Sequence, residues 1–258
     1  MAELITSTSN PKIKKLVALQ QKSSERRESS LFVVEGRREL EHCLNSGFEL
    51  DTVFVCPEIF DGKLPPADRT IEVSRELYRK IAYREGTEGI IAEVKFKQRS
   101  LKDLRLRDNA LVAVLESVEK PGNLGAVLRT CDAVGADALI VCDPLTDLYN
   151  PNLIRASIGA IFTVPCVACS TDEAIAFLKD KGIQILTAQL QDSSLYYDCD
   201  MKAATAIVMG TEATGLSDSW REAADAHIRI PMLGKLDSLN VSVSAAILLY
   251  ESARQRNG

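Results

Sequence analysis

The sequence predicts an α/β protein: a parallel sheet with helices on both faces, preceded by a smaller α/β unit. Two observations predict it. From residue 110 onward, short runs rich in Val, Ile, Leu and Ala alternate with segments of helix length. Those runs lack polar alternation, which marks strands buried on both faces and hence a parallel sheet. Residues 31–94 repeat the alternation on a smaller scale, and the charged stretch 95–107 has no sustained strand period. The boundary is placed there, giving units of 1–100 and 108–258.

The elements follow in order. Asn10-Pro11 starts a helix over 10–20, with a capping side chain and a proline at the first helical position. Ile13, Leu16 and Val17 form its apolar stripe, and Leu19 lies to the side. Residues 21–30 are polar and expected to be exposed. Leu31 to Val34 reads as a strand, turned by Glu35-Gly36. Arg37 to Asn45 is a helix stopped by Ser46-Gly47. Thr52 to Val55 is a second strand. Asp61-Gly62 and Pro65-Pro66 break the chain into loops. Val73 to Ile81 reads as helix and Ile90 to Val94 as a third strand.

In the larger unit, strands are expected at 110–115, 138–142, 182–186 and 205–209, with helices at about 124–134, 151–158 and 171–180. Ser170-Thr-Asp-Glu173 is a capping box for the last of these. Ligands of such sheets sit beyond the carboxyl ends of the strands, so the loops there carry the candidate chemistry. After 110–115 comes Pro121-Gly-Asn123-Leu-Gly125, with Asn123 read as the helix cap and Gly125 as a point of close approach. Arg129 follows six residues after Asn123, so the two point about 120° apart on the helix. After 205–209 comes Gly210-Thr-Glu212-Ala-Thr-Gly215, where two glycines allow a tight backbone approach and Glu212 adds a carboxylate. It is neither a dinucleotide loop nor a Walker loop.

The C-terminal stretch 228–251 reads as a strand at Ile228 and Ile230, ended by Pro231, then a loop, then a helix capped by Ser238 or Asn240. That helix is apolar nearly all round and is expected to be buried. Taken alone, each of these loops is an ordinary connection.

Composition narrows the class. The 258 residues, 46% hydrophobic, suffice for one large domain or two smaller ones. No apolar run is long enough to span a bilayer, and no secretory signal opens the chain, so a cytoplasmic protein is expected. The seven cysteines are then expected to be reduced and buried. Cys166-Val-Ala-Cys169 has metal or redox spacing, but no second pair follows, and two buried thiols are the simpler reading. His42 and His227 are the only histidines, too few for a His-rich metal site, and His42 reads as structural. The net charge of −5 argues against coating nucleic acid by bulk charge. The charge is uneven, however. Residues 1–100 hold 17 Lys and Arg against 16 Asp and Glu, and the rest hold 14 against 20. Residues 1–27 hold six basic and two acidic side chains, compatible with a phosphate backbone or simply with a solvated helix.

Together the three loops resemble the SpoU (TrmH) family of RNA ribose 2′-O-methyltransferases, in the SPOUT superfamily. The first motif is carried by Pro121-Gly122-Asn123-Leu124-Gly125 with Arg129. The second is Gly210-Thr211-Glu212 with Gly215-Leu216. The third is Ile230-Pro231-Met232 with Ser238-Leu239-Asn240-Val241-Ser242. Arg155, Ser157 and Gly159 also fall in family positions, and the likeness spans about 110–255. Val34-Glu35-Gly36-Arg37 resembles the small α/β RNA-substrate-binding domain that precedes the catalytic domain in many members.

The resemblance implies a C-terminal trefoil knot, an exception to unknotted topology. It implies S-adenosylmethionine bound in that knot by Thr187, Gly210, Ile230, Met232 and Leu239, with no metal. It implies a homodimer acting on RNA, ribosomal more than transfer RNA, away from membranes. Arg129, Asn123, Glu212, Ser238 and Asn240 are the catalytic candidates. Thr211 stands where the family often has Asn or Ser, and its hydroxyl is expected to alter hydrogen bonding without loss of activity. The alternatives are a knotted RNA-binding protein without catalysis, an enzyme acting on transfer RNA, or methylation of a base.

Overall fold

The computed structural model describes residues 3–83, 88–211 and 214–257. In chain order the elements are β1 (Glu3–Ile5), α1 (Pro11–Gln21), α2 (Ser23–Ser29), β2 (Leu31–Glu35), α3 (Arg37–Asn45), β3 (Leu50–Val55), β4 (Arg69–Val73), α4 (Arg75–Ile81) and β5 (Ile90–Lys95). Next come β6 (Leu111–Glu116), α5 (Pro121–Val134), β7 (Ala138–Cys142), α6 (Pro151–Ala156), α7 (Ala160–Thr163), β8 (Cys166–Cys169), α8 (Thr171–Asp180) and β9 (Gln184–Ala188). The chain ends with β10 (Ser194–Leu195), β11 (Thr205–Met209), α9 (Asp218–Ala223), β12 (Ala226–Arg229) and α10 (Val241–Asn257). It divides into two compact units. One is Met1–Gln98 with Tyr149–Thr163, and the other is Arg99–Leu148 with Val164–Gly258.

The first unit holds a mixed five-stranded sheet in the order β1-β4-β3-β5-β2. Strands β1, β4 and β3 run parallel, while β5 lies antiparallel to both β3 and β2. Asn10 caps α1, accepting from the Lys12 amide at 2.9 Å, and Ile13, Leu16 and Leu19 are buried. Leu19 is therefore part of the core stripe, while Val17 is only half-buried. The stretch expected to be exposed at 21–30 contains α2, and Arg26 within it is 2% exposed. Its guanidinium donates to the Leu19 carbonyl at 2.6 Å, completing a helix end that would otherwise leave a carbonyl unpaired. Strand β4 was not expected. Only Ile71 and Val73 alternate inward there, too short a pattern to stand out from the loop before it.

Segment Tyr149–Thr163 belongs to this first unit, although the sequence placed it within 108–258. Aromatic packing accounts for it. The Tyr149 ring stacks on Phe32 at 4.2 Å between centroids, and Phe162 meets Phe48 edge-on at 5.2 Å. The Tyr149 hydroxyl donates to the Lys97 carbonyl at 2.8 Å. Gly159 has φ +81°, and a Cβ there would stand 3.0 Å from His42 Cδ2. His42 thus packs against this segment.

The second unit is built on a wholly parallel seven-stranded sheet in the order β10-β12-β9-β11-β6-β7-β8. Strands β6, β7 and β11 are buried at every residue. Val112, Val114, Ile140 and Val208 share one core cluster with Leu178 of α8 and Trp220 of α9. Helices α5 and α10 pack together, α5 against β7 and α10 against β6 and β11. Helix α10 is not buried all round: Val241, Ala245, Leu248, Leu249 and Ser252 are buried, but Val243 and Tyr250 are 46% and 53% exposed. No helix among the described residues is long and apolar enough to cross a membrane.

Two buried features yield predictions. Asp137, at the turn into β7, accepts from Arg107 Nε at 2.7 Å and from the Leu111 amide at 2.8 Å. Burial pushes its carboxyl up, but the Arg107 guanidinium and the backbone N–H groups outweigh this and hold it below the usual carboxylate range. Asp137→Ala should cost about 2–3 kcal/mol at neutral pH in denaturant unfolding. A depressed folded-state pKa gives stability above the unfolded carboxyl range that is lost as pH falls through the folded value. The gap between the two proteins should therefore narrow below about pH 4.

All seven cysteines are free thiols; Cys169 and Cys199 are half-exposed rather than buried. Burial pushes Cys43, Cys131 and Cys166 up to about 12. Alkylation of the native protein at pH 8 should label Cys169 and Cys199 and spare those three, as read by peptide mass mapping.

Candidate functional site

A cavity of about 370 Å³ opens in the second unit beyond the ends of β9, β11 and β12, within the range of about 300–1,000 Å³ typical of ligand sites. Three segments wall it: 188–191 after β9, the described part of 209–216 after β11, and residues 228–244 from β12 into α10. Parallel strands bring these segments to one rim because each strand ends on the same side.

The loop after β11 folds back on itself. Thr211 and Gly215 form a bridge, and the Gly215 amide donates to the Thr211 carbonyl at 3.0 Å. The Thr211 and Thr214 hydroxyls lie 2.8 Å apart, and the Thr214 amide donates to Thr211 Oγ1 at 3.0 Å. The hydroxyl at 211 is therefore used to close the loop. Gly215 has φ +69°, a conformation glycine adopts without strain. A Cβ on Gly210 would stand 2.2 Å from the Gly215 carbonyl oxygen, so only glycine fits at the start of this wall.

The first and third motifs meet through their amides. Helix α5 begins at Pro121 with Lys120 before it, so Asn123 lies in the first turn and is not the cap. Its side chain is left to accept from Asn240 Nδ2 at 3.2 Å, across 117 residues of sequence. Asn240, rather than Ser238, caps α10. Its Oδ1 accepts from the Ser242 amide at 3.0 Å and the Ser242 hydroxyl at 2.6 Å. Ser238 donates to Asp237 Oδ1 at 3.1 Å.

Of the expected cofactor residues, Gly210, Ile230, Met232 and Leu239 line the cavity, and so does Ser238. Thr187 does not. It is fully buried in β9, with its hydroxyl 2.6 Å from His227 Nδ1; its neighbour Ala188 reaches the cavity instead. Arg129 is exposed on α5 and is not among the lining residues. Glu212 lies outside the described residues. Arg155 belongs to the first unit, where its guanidinium stacks over Tyr83 at 4.1 Å.

Sequence reasoning missed the wall formed by 188–191 because it ended β9 at 186, two residues short of Ala188. The rule that ligands sit at carboxyl strand ends would have found it from the correct end. It also missed three charged lining residues, Arg221, Arg229 and Asp237. Cys166 and Cys169 lie on one strand, where residues three apart face opposite sides. Cys169 pairs instead with Cys142 on β7, whose thiol lowers that of Cys169 through a hydrogen bond. Among the described residues no group of three or more His, Cys, Asp or Glu could hold a metal ion.

Residues 110–250 match the model of the SpoU rRNA Methylase family, and residues 10–92 match the MRM3-like substrate binding domain. A 23S rRNA (guanosine-2′-O)-methyltransferase of Bacillus subtilis is 28% identical over 247 residues, covering 95% of this chain and 97% of its own length. A solved RNA 2′-O ribose methyltransferase is 39% identical with a TM-score of 0.83, covering 99% of this chain and 100% of that one. An AdoMet-bound rRNA methyltransferase from Sinorhizobium meliloti is 27% identical with a TM-score of 0.88, covering 98% of both chains. With a family model spanning more than half of its length, and a parallel-sheet unit that carries all three motifs, the chain belongs to the SpoU rRNA methylase family.

Proposed function

We propose that this protein transfers a methyl group from S-adenosylmethionine to a ribose 2′-hydroxyl of ribosomal RNA. The observation that carries the reading is the convergence of three distant segments. The described part of the 210–216 loop and the 230–239 loop line one cavity, and Asn240, directly after the second of them, bonds to Asn123 of the first motif. The residues present fit the cofactor. Gly210 lets the Gly215–Leu216 backbone close against it, where any Cβ would clash, and so brings the loop compactly onto the cavity that it lines. Ile230, Met232 and Leu239 give apolar wall for the nucleoside, and Asp237 gives a carboxylate for the cationic end.

When bound, S-adenosylmethionine supplies a methyl group on a sulfonium that is already strongly electrophilic. The protein must then hold the ribose oxygen in line and help it lose its proton. Arg129 is assigned to bind a phosphate and stabilise charge developing on that oxygen. A guanidinium is a poor base, with a pKa above about 12. Asn123 and Asn240 hold the first and third motifs to each other, Ser238 contacts the ribose, and Glu212 pins the loops.

Ribosomal RNA is favoured over transfer RNA because the Bacillus and Sinorhizobium relatives are named for it. Residues 1–100 are assigned to RNA binding, supported by the match at 10–92. Family membership further supports a trefoil knot around the 230–240 stretch, a cytoplasmic location, and a homodimer. The exposed Val243 and Tyr250 of α10 suit such an interface.

The test is methyl transfer from labelled S-adenosylmethionine to ribosomal RNA from cells lacking this protein, followed by nucleoside analysis. A labelled 2′-O-methyl nucleoside is expected. A labelled base would overturn the acceptor, and no label with ribosomal RNA but label with transfer RNA would overturn the substrate.

Arg129→Ala should lower transfer by about 10²–10³-fold while leaving cofactor affinity unchanged by calorimetry. Full activity in that variant would remove Arg129 from the mechanism. Gly210→Ala should weaken cofactor binding by about tenfold or more, because a misplaced wall of the order of an ångström has effects of that size. Unchanged affinity in a folded Gly210→Ala protein would place the cofactor elsewhere.

A further inference from the structure

We propose that Glu116 is a positioning residue that holds the cofactor loop in register with the catalytic helix. The proposal rests on the reading of the cavity as the S-adenosylmethionine site. Glu116 is the last residue of β6 and is 6% exposed. Its carboxylate reaches two other segments. Oε2 accepts from the Ser217 amide at 2.8 Å, and Oε1 accepts from the Ser217 hydroxyl at 2.6 Å. Oε1 also lies 3.0 Å from the Thr171 hydroxyl at the start of α8.

Ser217 directly follows Leu216, the last lining residue of the loop after β11. The entry to that loop is fixed by the β11 ladder with β6, which runs to Met209 opposite Leu115. Its middle is closed by the Thr211–Gly215 bridge. Among the described residues its exit at Leu216–Ser217 has no strand pairing, and the two-point grip of Glu116 on Ser217 holds it instead. A buried carboxylate held by a backbone N–H and a hydroxyl is a strong, directional anchor. The same strand leads, five residues on, into α5 with Asn123 and Arg129. One side chain therefore ties the strand that feeds the first motif to the exit of the second. The reaction needs donor and acceptor sides aligned, so Glu116 acts through Ser217 on cofactor affinity and turnover.

The rival role is purely structural, with Glu116 tying α8 to the sheet through Thr171. The two grips can be separated. Thr171→Val removes the bond to α8 and, with it, the 2.8 Å contact of Thr171 with Asp143, but leaves the Ser217 grip. Ser217→Ala removes one of the two bonds to the loop. Glu116→Ala removes everything, whereas in Glu116→Gln the amide oxygen can accept from the Ser217 N–H and the NH₂ can donate to the hydroxyls.

The experiment measures S-adenosylmethionine affinity by calorimetry, kcat with RNA, and Tm for the full-length protein and these four variants. Glu116→Ala is expected to weaken affinity by about tenfold or more and to lower kcat. Glu116→Gln should restore most of both. Ser217→Ala should move affinity in the same direction by less, and Thr171→Val should lower Tm with affinity and kcat within about twofold of the parent. If Glu116→Ala does not fold, the contrast between Ser217→Ala and Thr171→Val decides. The proposal is overturned if folded Glu116→Ala keeps affinity and kcat, or if Thr171→Val loses as much affinity as Ser217→Ala. Absence of cofactor binding by the parent protein would instead overturn the cavity reading itself.

Discussion

Seven parallel strands end on one rim, and past that rim the backbone loses the ladder that satisfied it. Every loop there must find other partners for its N–H and C=O groups. In the second unit these partners are specific side chains and close backbone approaches. Asn240 supplies the cap for α10, Thr211 receives the Thr214 amide, and Glu116 receives Ser217. The Gln189 amide donates to the Ile228 carbonyl at 3.0 Å, tying the segment after β9 to β12. A rim dense in such polar groups, beside apolar side chains such as Met232 and Leu239, is a natural ligand wall.

Close packing then limits which residues can stand on that rim. Gly210 faces the backbone of Gly215 and Leu216 at distances no side chain tolerates. The described part of the loop is thus held compact by exclusion. The Asn123–Asn240 bond works at a different scale. It links the starts of α5 and α10, two helices that also pack along their length. The segments that carry the first, second and third motifs are therefore joined both through the sheet, at Glu116, and through the helices, at the asparagine pair.

Much of the second unit was legible. Strands β7 and β11 and the α8 capping box are local signals, apolar runs and a four-residue pattern, and they fall where the sequence puts them. The features that escaped depend on distant partners. Arg26 is buried because it completes the end of α1, and 149–163 joins the first unit because Tyr149 finds Phe32. Local pattern makes Asn123 a cap, but Pro121 starts the helix earlier and frees the side chain. Thr187 was assigned to the pocket by family position, yet β9 turns it towards His227. The cavity residues Gly210, Ile230, Met232, Ser238 and Leu239 came from ordered motifs, whereas Glu116 acts through partners far along the chain, Thr171 and Ser217, the latter 101 residues away. No local rule finds such a pair.

The loops beyond β9, β11 and β12 are proposed to form the S-adenosylmethionine site together. Amide hydrogen exchange by mass spectrometry, with and without S-adenosylmethionine, tests it most directly. Slowed exchange is expected in three separate stretches, 188–191, 209–217 and 230–241, with the sheet interior unchanged. Binding accompanied by protection elsewhere, or in only one of the three, would contradict it.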